Sequence, residues 1–210
     1  MTTTPRSYLV LHGWQNHRPE AHWQHWLADR LTGLGHRVVY PQLPDPDDPV
    51  LGEWLGELER HLAELGEGEP GKPGEPGGGE RVVVAHSLSV VLWLHAVARD
   101  LPGLADVDRV LLVAPPSDSV LARYPEVAGF ARSGESYGLV LPQPTRLVAG
   151  DDDPYCPEGV QTVYGDPLGL TAELLPGAVH LDLDAGYGSW PSVLDWCLDP
   201  DTKFATRPQR

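Results

Sequence analysis

Apolar residues along this chain follow two alternating patterns: short continuous runs, and longer stretches with apolar positions three or four residues apart. The continuous runs predict buried strands, and the spaced positions predict amphipathic helices. Strands are predicted at 7–11, 37–40, 82–85, 109–114, 145–149 and 172–175, and helices at 20–34, 50–65, directly after Ser89, at 156–165 and at 190–198. Strands that alternate with helices indicate an α/β fold with about six mainly parallel strands and right-handed crossovers.

Two stretches interrupt this alternation. Residues 66–80 consist of Gly, Pro, Glu and Lys, so ordering them would bury no apolar surface to offset the lost entropy. They could be an interdomain linker, but the preceding segment holds only two strands and two helices, too few for a separate core. We therefore predict one domain over residues 1–210, with 66–80 as a disordered surface loop. Residues 115–142 are predicted to be irregular, which leaves room for little or no cap.

A serine lies at the corner between the third strand and the helix that follows it. The sequence there is Ala85-His86-Ser87-Leu88-Ser89, a small-x-Ser-x-small pattern with Ala85 and Ser89 where a nucleophile elbow usually has two glycines. Such a turn exposes the serine hydroxyl, and the first N–H groups of the following helix can bind an anion beside it. The alternative for Ser87 is a helix N-cap, the commoner role of serine at such a junction.

Other polar groups follow the first, fifth and sixth strands, at His12-Gly13, Asp151 to Asp153 and His180. The carboxyl ends of parallel strands share one edge of a sheet, so these groups are expected to converge on Ser87. The chain order Ser, Asp, His is that of α/β-hydrolases. A serine nucleophile needs an imidazole base, a carboxylate that orients it, and donors for the oxyanion. We expect these donors to be the N–H of Leu88 and the backbone around Gly13 and Trp14.

Four stretches together resemble the small serine-hydrolase family that includes the retinoblastoma-binding serine hydrolase and its bacterial relatives. They are Leu11-His12-Gly13-Trp14-Gln15 with His22-Trp23-Gln24, Ala85 to Leu88, Asp152-Asp153-Pro154-Tyr155-Cys156-Pro157, and His180-Leu181-Asp182 leading to Trp190-Pro191. The resemblance implies an α/β-hydrolase fold with Ser87, Asp153 and His180 as the catalytic triad. From the residues alone, Asp152 remains an alternative to Asp153 as the triad acid.

The chain departs from the family pattern at three positions near these motifs. Ser89 and Val179 stand where glycine is usual, and Asp182 stands where asparagine is common. Ser89 would crowd the turn slightly, and Asp182 would place a second negative charge near the imidazole of His180. The Gly/Pro-rich insertion is also outside the family pattern. None of these departures removes a triad member.

The composition limits which partners the protein is expected to bind and in which cellular compartment it is expected to occur. The formal net charge of −15 argues against nucleic acid or an anionic membrane surface as a partner. Residues 1–6 lack the apolar core of a signal peptide, and no apolar run approaches a membrane span. Two cysteines, Cys156 and Cys197, cannot form a disulfide framework. We therefore expect a cytoplasmic protein.

The sequence predicts a cofactor-independent serine hydrolase that acts on small acyl esters through an acyl-enzyme. An amidase or peptidase of the same fold is one alternative, and a catalytically weak pseudo-hydrolase that binds a protein partner is another. No metal site is expected, because His22 and His25 have helical spacing but lack a third ligand. His86 is interpreted as structural, and Cys156 as a loop thiol without a base.

Overall fold

A computed structural model describes residues 5–66, 79–132 and 139–207. Its six strands form one sheet in the order β2-β1-β3-β4-β5-β6, and every neighbouring pair is parallel. The strands are β1 Ser7–Leu11, β2 Arg37–Val39, β3 Arg81–His86, β4 Arg109–Val113, β5 Thr145–Gly150 and β6 Ala172–Leu175. The α/β class and the parallel sheet predicted from the sequence are confirmed.

Six α-helices accompany the sheet in the described residues. They are α1 Trp23–Gly33, α2 Leu51–Gly66, α3 Leu88–Ala98, α4 Asp118–Leu121, α5 Asp166–Leu168 and α6 Pro191–Leu198. Short 3₁₀ turns lie at Leu104–Asp106 and Ala128–Phe130, and a π-helical turn at Gln161–Gly165 leads into α5.

Alternate residues of the strands supply two apolar cores, one on each face of the sheet. On one face, Leu9 and Val83 pack with the buried residues of α2 and α3. On the other face, Tyr8 and Val82 pack with those of α1 and α6. A sheet covered on both faces is nearly apolar throughout, which explains the continuous runs in the sequence.

Two predicted helices begin later than the sequence pattern indicated. Helix α1 begins at Trp23 because His22 caps it, with the ring nitrogen Nδ1 accepting from the N–H of Gln24 at 3.2 Å. In the 156–165 segment, helical backbone begins only at Val160, because Gly159 has φ of +87° and turns the chain before it. The predicted irregular stretch 115–142 contains α4 and the 3₁₀ turn Ala128–Phe130.

Most of the loop predicted at 66–80 lies outside the described residues, namely 67–78. Its last residue, Glu80, belongs to the packed structure, since its carboxylate accepts from the buried Arg109 guanidinium. Arg109 also donates to the carbonyls of Trp196 and Cys197, which ties β4 to α6. Across the described ranges, none of the helices has the length and apolar character needed to span a bilayer.

Candidate active site

Ser87 occupies a strained turn between β3 and α3. Its φ of +56° lies in the left-handed region, and its N–H donates to the carbonyl of Val113 at 2.9 Å. Ser87 occupies the N-cap position of α3, but its side chain makes no capping hydrogen bond to that helix. Instead, Ser87 Oγ lies 2.9 Å from Nε2 of His180.

His180 lies between Ser87 and a buried carboxylate. Its Nδ1 is 2.8 Å from Oδ2 of Asp153 and 3.0 Å from Oδ1, and both side chains are buried. A neutral imidazole in this arrangement donates from Nδ1 to the carboxylate and accepts the serine O–H at Nε2. The structure thus brings Asp153 to the ring, whereas Asp152 accepts from the backbone N–H of Val179 at 2.8 Å.

Gly13 lies directly against Ser87. A Cβ added at Gly13 would be 2.7 Å from Ser87 Cβ and 3.0 Å from Ser87 Oγ, so this position requires glycine. The Gly13 carbonyl is 2.8 Å from Nδ1 of His12, whose Nε2 accepts from the N–H of Leu43 at 2.8 Å. Burial lowers the pKa of His12 to about 4, which keeps the ring neutral and suits one donor with one acceptor.

A half-open cavity of about 420 Å³ joins these groups. Ser87, His180 and the three backbone positions predicted for the oxyanion, Gly13, Trp14 and Leu88, all line it. The lining of the cavity is partly apolar and partly polar. Its apolar residues include Pro116, Val120, Leu121, Tyr124, Val127 and Leu183, and its polar residues include Asn16, His17, Asp182 and Asp184.

Two further histidines pack behind His180. The Nε2–H of His86 donates to the His180 carbonyl at 3.0 Å, and the two rings lie 5.2 Å apart. The ring of His22 lies 5.6 Å from that of His86. Burial lowers the pKa of His86 and His22, the latter to about 4. His86 therefore supports the site from within the packed interior.

His22 and His25 make separate contacts. His22 caps α1, while Nε2 of His25 lies 3.7 Å from Asp29. Within the described ranges, no group of three or more His, Cys, Asp or Glu side chains is placed to hold a metal ion. Cys156 is buried, and burial together with Asp153 raises the pKa of its thiol to about 12, which disfavours a thiolate nucleophile.

Sequence reasoning missed several contacts around the site. The Ser89 hydroxyl donates to the His12 carbonyl, so this departure from the family pattern joins the elbow to the end of β1. The indole of Trp23 donates to the Leu181 carbonyl at 2.7 Å, and the ring of Tyr155 lies 4.4 Å from that of His180. Trp23 and Tyr155 belong to the motifs on which the family resemblance rests. That membership was the sequence signal that could have drawn attention to these two residues.

Comparisons with solved structures show the same fold. The product of the ydeN gene of B. subtilis is 20% identical, with a TM-score of 0.72 over 92% of this chain and 97% of that one. A YdeN-like hydrolase from Pectobacterium atrosepticum is 18% identical, with a TM-score of 0.67 over 92% and 89% of the two chains. Est1E from Butyrivibrio proteoclasticus is 13% identical, with a TM-score of 0.66 over 93% and 88%. These structures are α/β hydrolases, as the sequence predicted for this chain.

The comparison with curated proteins found no match. The profile of the family described as serine hydrolase matches residues 8–198, a span that contains the elbow, the acidic turn after β5 and His180. The narrower likeness to the retinoblastoma-binding member stays a prediction. With nearly its whole length covered by that profile, this chain belongs to the serine hydrolase family.

Proposed function

We propose that this protein hydrolyses small carboxylic esters, with Ser87 as nucleophile, His180 as general base and acid, and Asp153 as the group that orients His180. The observation that carries the proposal is the chain of contacts from Ser87 Oγ to His180 Nε2 at 2.9 Å and from His180 Nδ1 to Asp153 at 2.8 Å. A hydroxyl is a weak nucleophile at neutral pH, and this arrangement removes its proton as it attacks.

In the first half-reaction, Ser87 Oγ bonds to the ester carbonyl carbon while its proton moves to His180 Nε2. The tetrahedral intermediate then expels the alcohol, which leaves with that proton, and an acyl-Ser87 ester remains. In the second half-reaction, His180 takes a proton from water as the water oxygen attacks the acyl carbon. Return of the proton to Ser87 Oγ releases the acid and restores the enzyme. Asp153 stays ionised and stabilises the transient imidazolium.

The oxyanion of each intermediate requires donors that are already in place. Leu88 is the first residue of α3, and N–H groups in the first turn of a helix lack intrahelical partners. The Trp14 N–H belongs to the same peptide unit as the Gly13 carbonyl. Because His12 holds that carbonyl, the Trp14 N–H is directed to the opposite side. We infer that Leu88 and Trp14 donate to the oxyanion.

The size of the cavity favours small substrates. About 420 Å³ lies near the lower end of the range for small-molecule sites. We infer that acetate and butyrate esters are better substrates than long-chain lipid esters. A clear preference for long-chain esters would contradict this inference.

The decisive experiment is labelling with a fluorophosphonate, followed by mass spectrometry of the modified peptide. We expect one adduct on Ser87, and none in the Ser87→Ala variant or in heat-denatured protein. A folded wild-type protein that resists labelling would contradict the proposal and favour a protein-binding pseudo-hydrolase.

Matched ester and amide substrates with the same acyl group then distinguish an esterase from an amidase. We expect turnover of the ester to exceed that of the amide. An equal or higher rate on the amide would instead assign the protein to the amidase or peptidase alternative.

A further inference from the structure

The backbone around His180 adopts a conformation that its residues rarely take. Val179 and Leu181 flank His180 on either side, with φ values of +51° and +53°. Left-handed backbone is uncommon for any residue other than glycine, and for a β-branched residue such as valine it is an outlier. Contacts from outside this segment must therefore hold Val179 in place.

Asp152 supplies the contact that acts on Val179. Its Oδ1 accepts the Val179 N–H at 2.8 Å, while the next residue, Asp153, accepts from the His180 ring at 2.8 Å. The loop approaches closely because β5 ends in Gly150, where an added Cβ would lie 2.2 Å from the Val179 carbonyl oxygen. Two successive carboxylates thus hold the backbone of one residue and the side chain of the next.

Asp151 provides a natural contrast to Asp152. Its Oδ1 accepts the N–H of Gly177 at 2.9 Å, and Gly177 also has a positive φ, of +63°. Glycine adopts this conformation without steric cost, so Gly177 needs no external contact to keep it there. The two carboxylates are adjacent and both are exposed. Of the two, only Asp152 binds a residue, Val179, for which a positive φ is unfavourable.

From these contacts we propose that Asp152 is a positioning residue: by holding Val179 in the left-handed conformation, it places the His180 imidazole against Ser87 Oγ. The inference rests on the proposed triad and adds a role for a carboxylate outside it. Asp152 acts through the backbone of Val179, and its effect is carried by a hydrogen bond that does not require a full negative charge.

Five variants test this role: Asp152→Ala, Asp152→Asn, Asp151→Ala, Val179→Gly, and Asp152→Ala combined with Val179→Gly. The readouts are the second-order rate of fluorophosphonate labelling, kcat and KM on an acetate ester, and the pH–rate profile. We expect Asp152→Ala to lose about tenfold or more in labelling rate and in kcat, because a small displacement of a catalytic group is costly. Asp152→Asn retains an acceptor oxygen and should recover most of that loss.

Asp151→Ala removes the same charge one residue away and should stay within about twofold of wild type, since Gly177 needs no support. The double variant should retain at least about half of the labelling rate and kcat of Val179→Gly alone. Glycine at position 179 adopts a positive φ without support from Asp152. The midpoint of the pH–rate profile should be the same in Asp152→Ala and wild type. Circular dichroism of each variant confirms that it is folded.

Each contrary outcome is distinguishable. Wild-type protein that does not label contradicts the proposed function itself. Wild-type labelling that is matched by Asp152→Ala overturns the positioning role. A loss of activity in both Asp152→Asn and Asp151→Ala that is as large as in Asp152→Ala would show that Asp152 acts through its charge. A shift in the midpoint of the pH–rate profile of Asp152→Ala would show the same, and either result also overturns the inference. A full loss from Asp152→Ala in the Val179→Gly background would do the same.

Discussion

At the scale of single residues, the site depends on positions where one heavy atom decides the geometry. Gly13 is the sharpest case, because its Cα faces the nucleophile itself. The Gly13→Ala variant would place a methyl group 2.7 Å from Ser87 Cβ, and neither partner can yield easily. Ser87 sits in a strained turn, and the Gly13 carbonyl is fixed by His12.

We therefore expect Gly13→Ala to lower kcat/KM by about 100-fold, since a displacement near 1 Å at a reacting group has that effect. Steady-state kinetics on an acetate ester measures this loss, with fluorophosphonate labelling as a second readout. Gly56→Ala is the matched control, because Gly56 lies in α2 with no heavy atom within 4 Å of an added Cβ. Activity of Gly13→Ala within twofold of the control would show that the loop yields freely.

The residues that meet at the candidate site could be predicted from the sequence, but their supporting contacts could not. Ser87, His180 and the acidic turn follow from chain order on a parallel sheet, and the family resemblance selected Asp153 over Asp152. The bonds from Ser89 to the His12 carbonyl and from Asp152 to Val179 join residues 77 and 27 positions apart. Such bonds depend on how loops approach in space, and no local pattern encodes that approach.

At the scale of elements, the first turn of α1 joins two parts of the site. The Trp23 indole donates to the Leu181 carbonyl beside His180, and the Gln24 amide donates to the Leu11 carbonyl at the end of β1 at 2.8 Å. His22 caps this turn and packs against His86. The stretch His22-Trp23-Gln24 therefore connects the loop that bears His180 to the end of β1, which Gly13 and Trp14 follow.

The burial of His22 makes stability depend on pH in a defined direction. Burial lowers the pKa of His22 to about 4 in the folded protein, below its ordinary value of 6.5. The unfolded chain therefore binds a proton more readily between these values, so the contribution of His22 to stability is complete above pH 6.5 and is lost as pH falls toward 4. His12 and His86, also lowered by burial, contribute with the same sign.

We expect His22→Asn to retain the cap, because asparagine is a good N-cap residue, while removing this titration. The slope of unfolding free energy against pH, measured by urea denaturation between pH 7 and 5, should fall by up to about 1.4 kcal/mol per pH unit. At pH 7.5 the unfolding midpoints of the variant and wild type should be similar. Equal slopes in both proteins would show that His22 is not protonated differently on unfolding.

Strand limits could be predicted within about a residue because β-branched runs report burial directly. The helical turns near the cavity could not be predicted. Helix α4 spans four residues and the 3₁₀ turn Ala128–Phe130 spans three, and both are too short to show a helical repeat of apolar residues. The start of α1 was misplaced because it depends on a histidine cap, a weaker sequence signal than Ser, Thr, Asp or Asn.

At the scale of the whole molecule, the packed fold determines which thiols can react. Burial raises the pKa of both Cys156 and Cys197 to about 12, so neither forms thiolate at pH 8. We expect iodoacetamide at pH 8 to leave the native protein unmodified and its rate on an acetate ester unchanged. The same treatment in urea should add two groups by intact mass. A native adduct on Cys156 with loss of activity would instead show that the loop bearing Asp153 opens readily.

The overall charge also bears on substrate choice. The chain has a formal net charge of −15, and the residues that line the cavity include Asp182 and Asp184. A negative potential around a cleft raises the local concentration of cations and lowers that of anions, and salt screens both effects. The cavity should therefore favour esters whose alcohol portion is cationic or neutral.

Three acetate esters test this preference: acetylcholine, its uncharged analogue 3,3-dimethylbutyl acetate, and 4-acetoxybutanoate. We expect kcat/KM to fall in that order, with about a tenfold difference between the cationic and anionic esters at low salt. The ratio of kcat/KM for the cationic ester to that for the anionic ester should decrease at 0.5 M salt, because the Debye length there is only about 4 Å. Asp184→Asn should reduce the ratio more than Glu59→Gln, which removes an equal charge from the exposed surface of α2. A ratio that is unchanged by salt and by Asp184→Asn would show that shape alone selects the substrate.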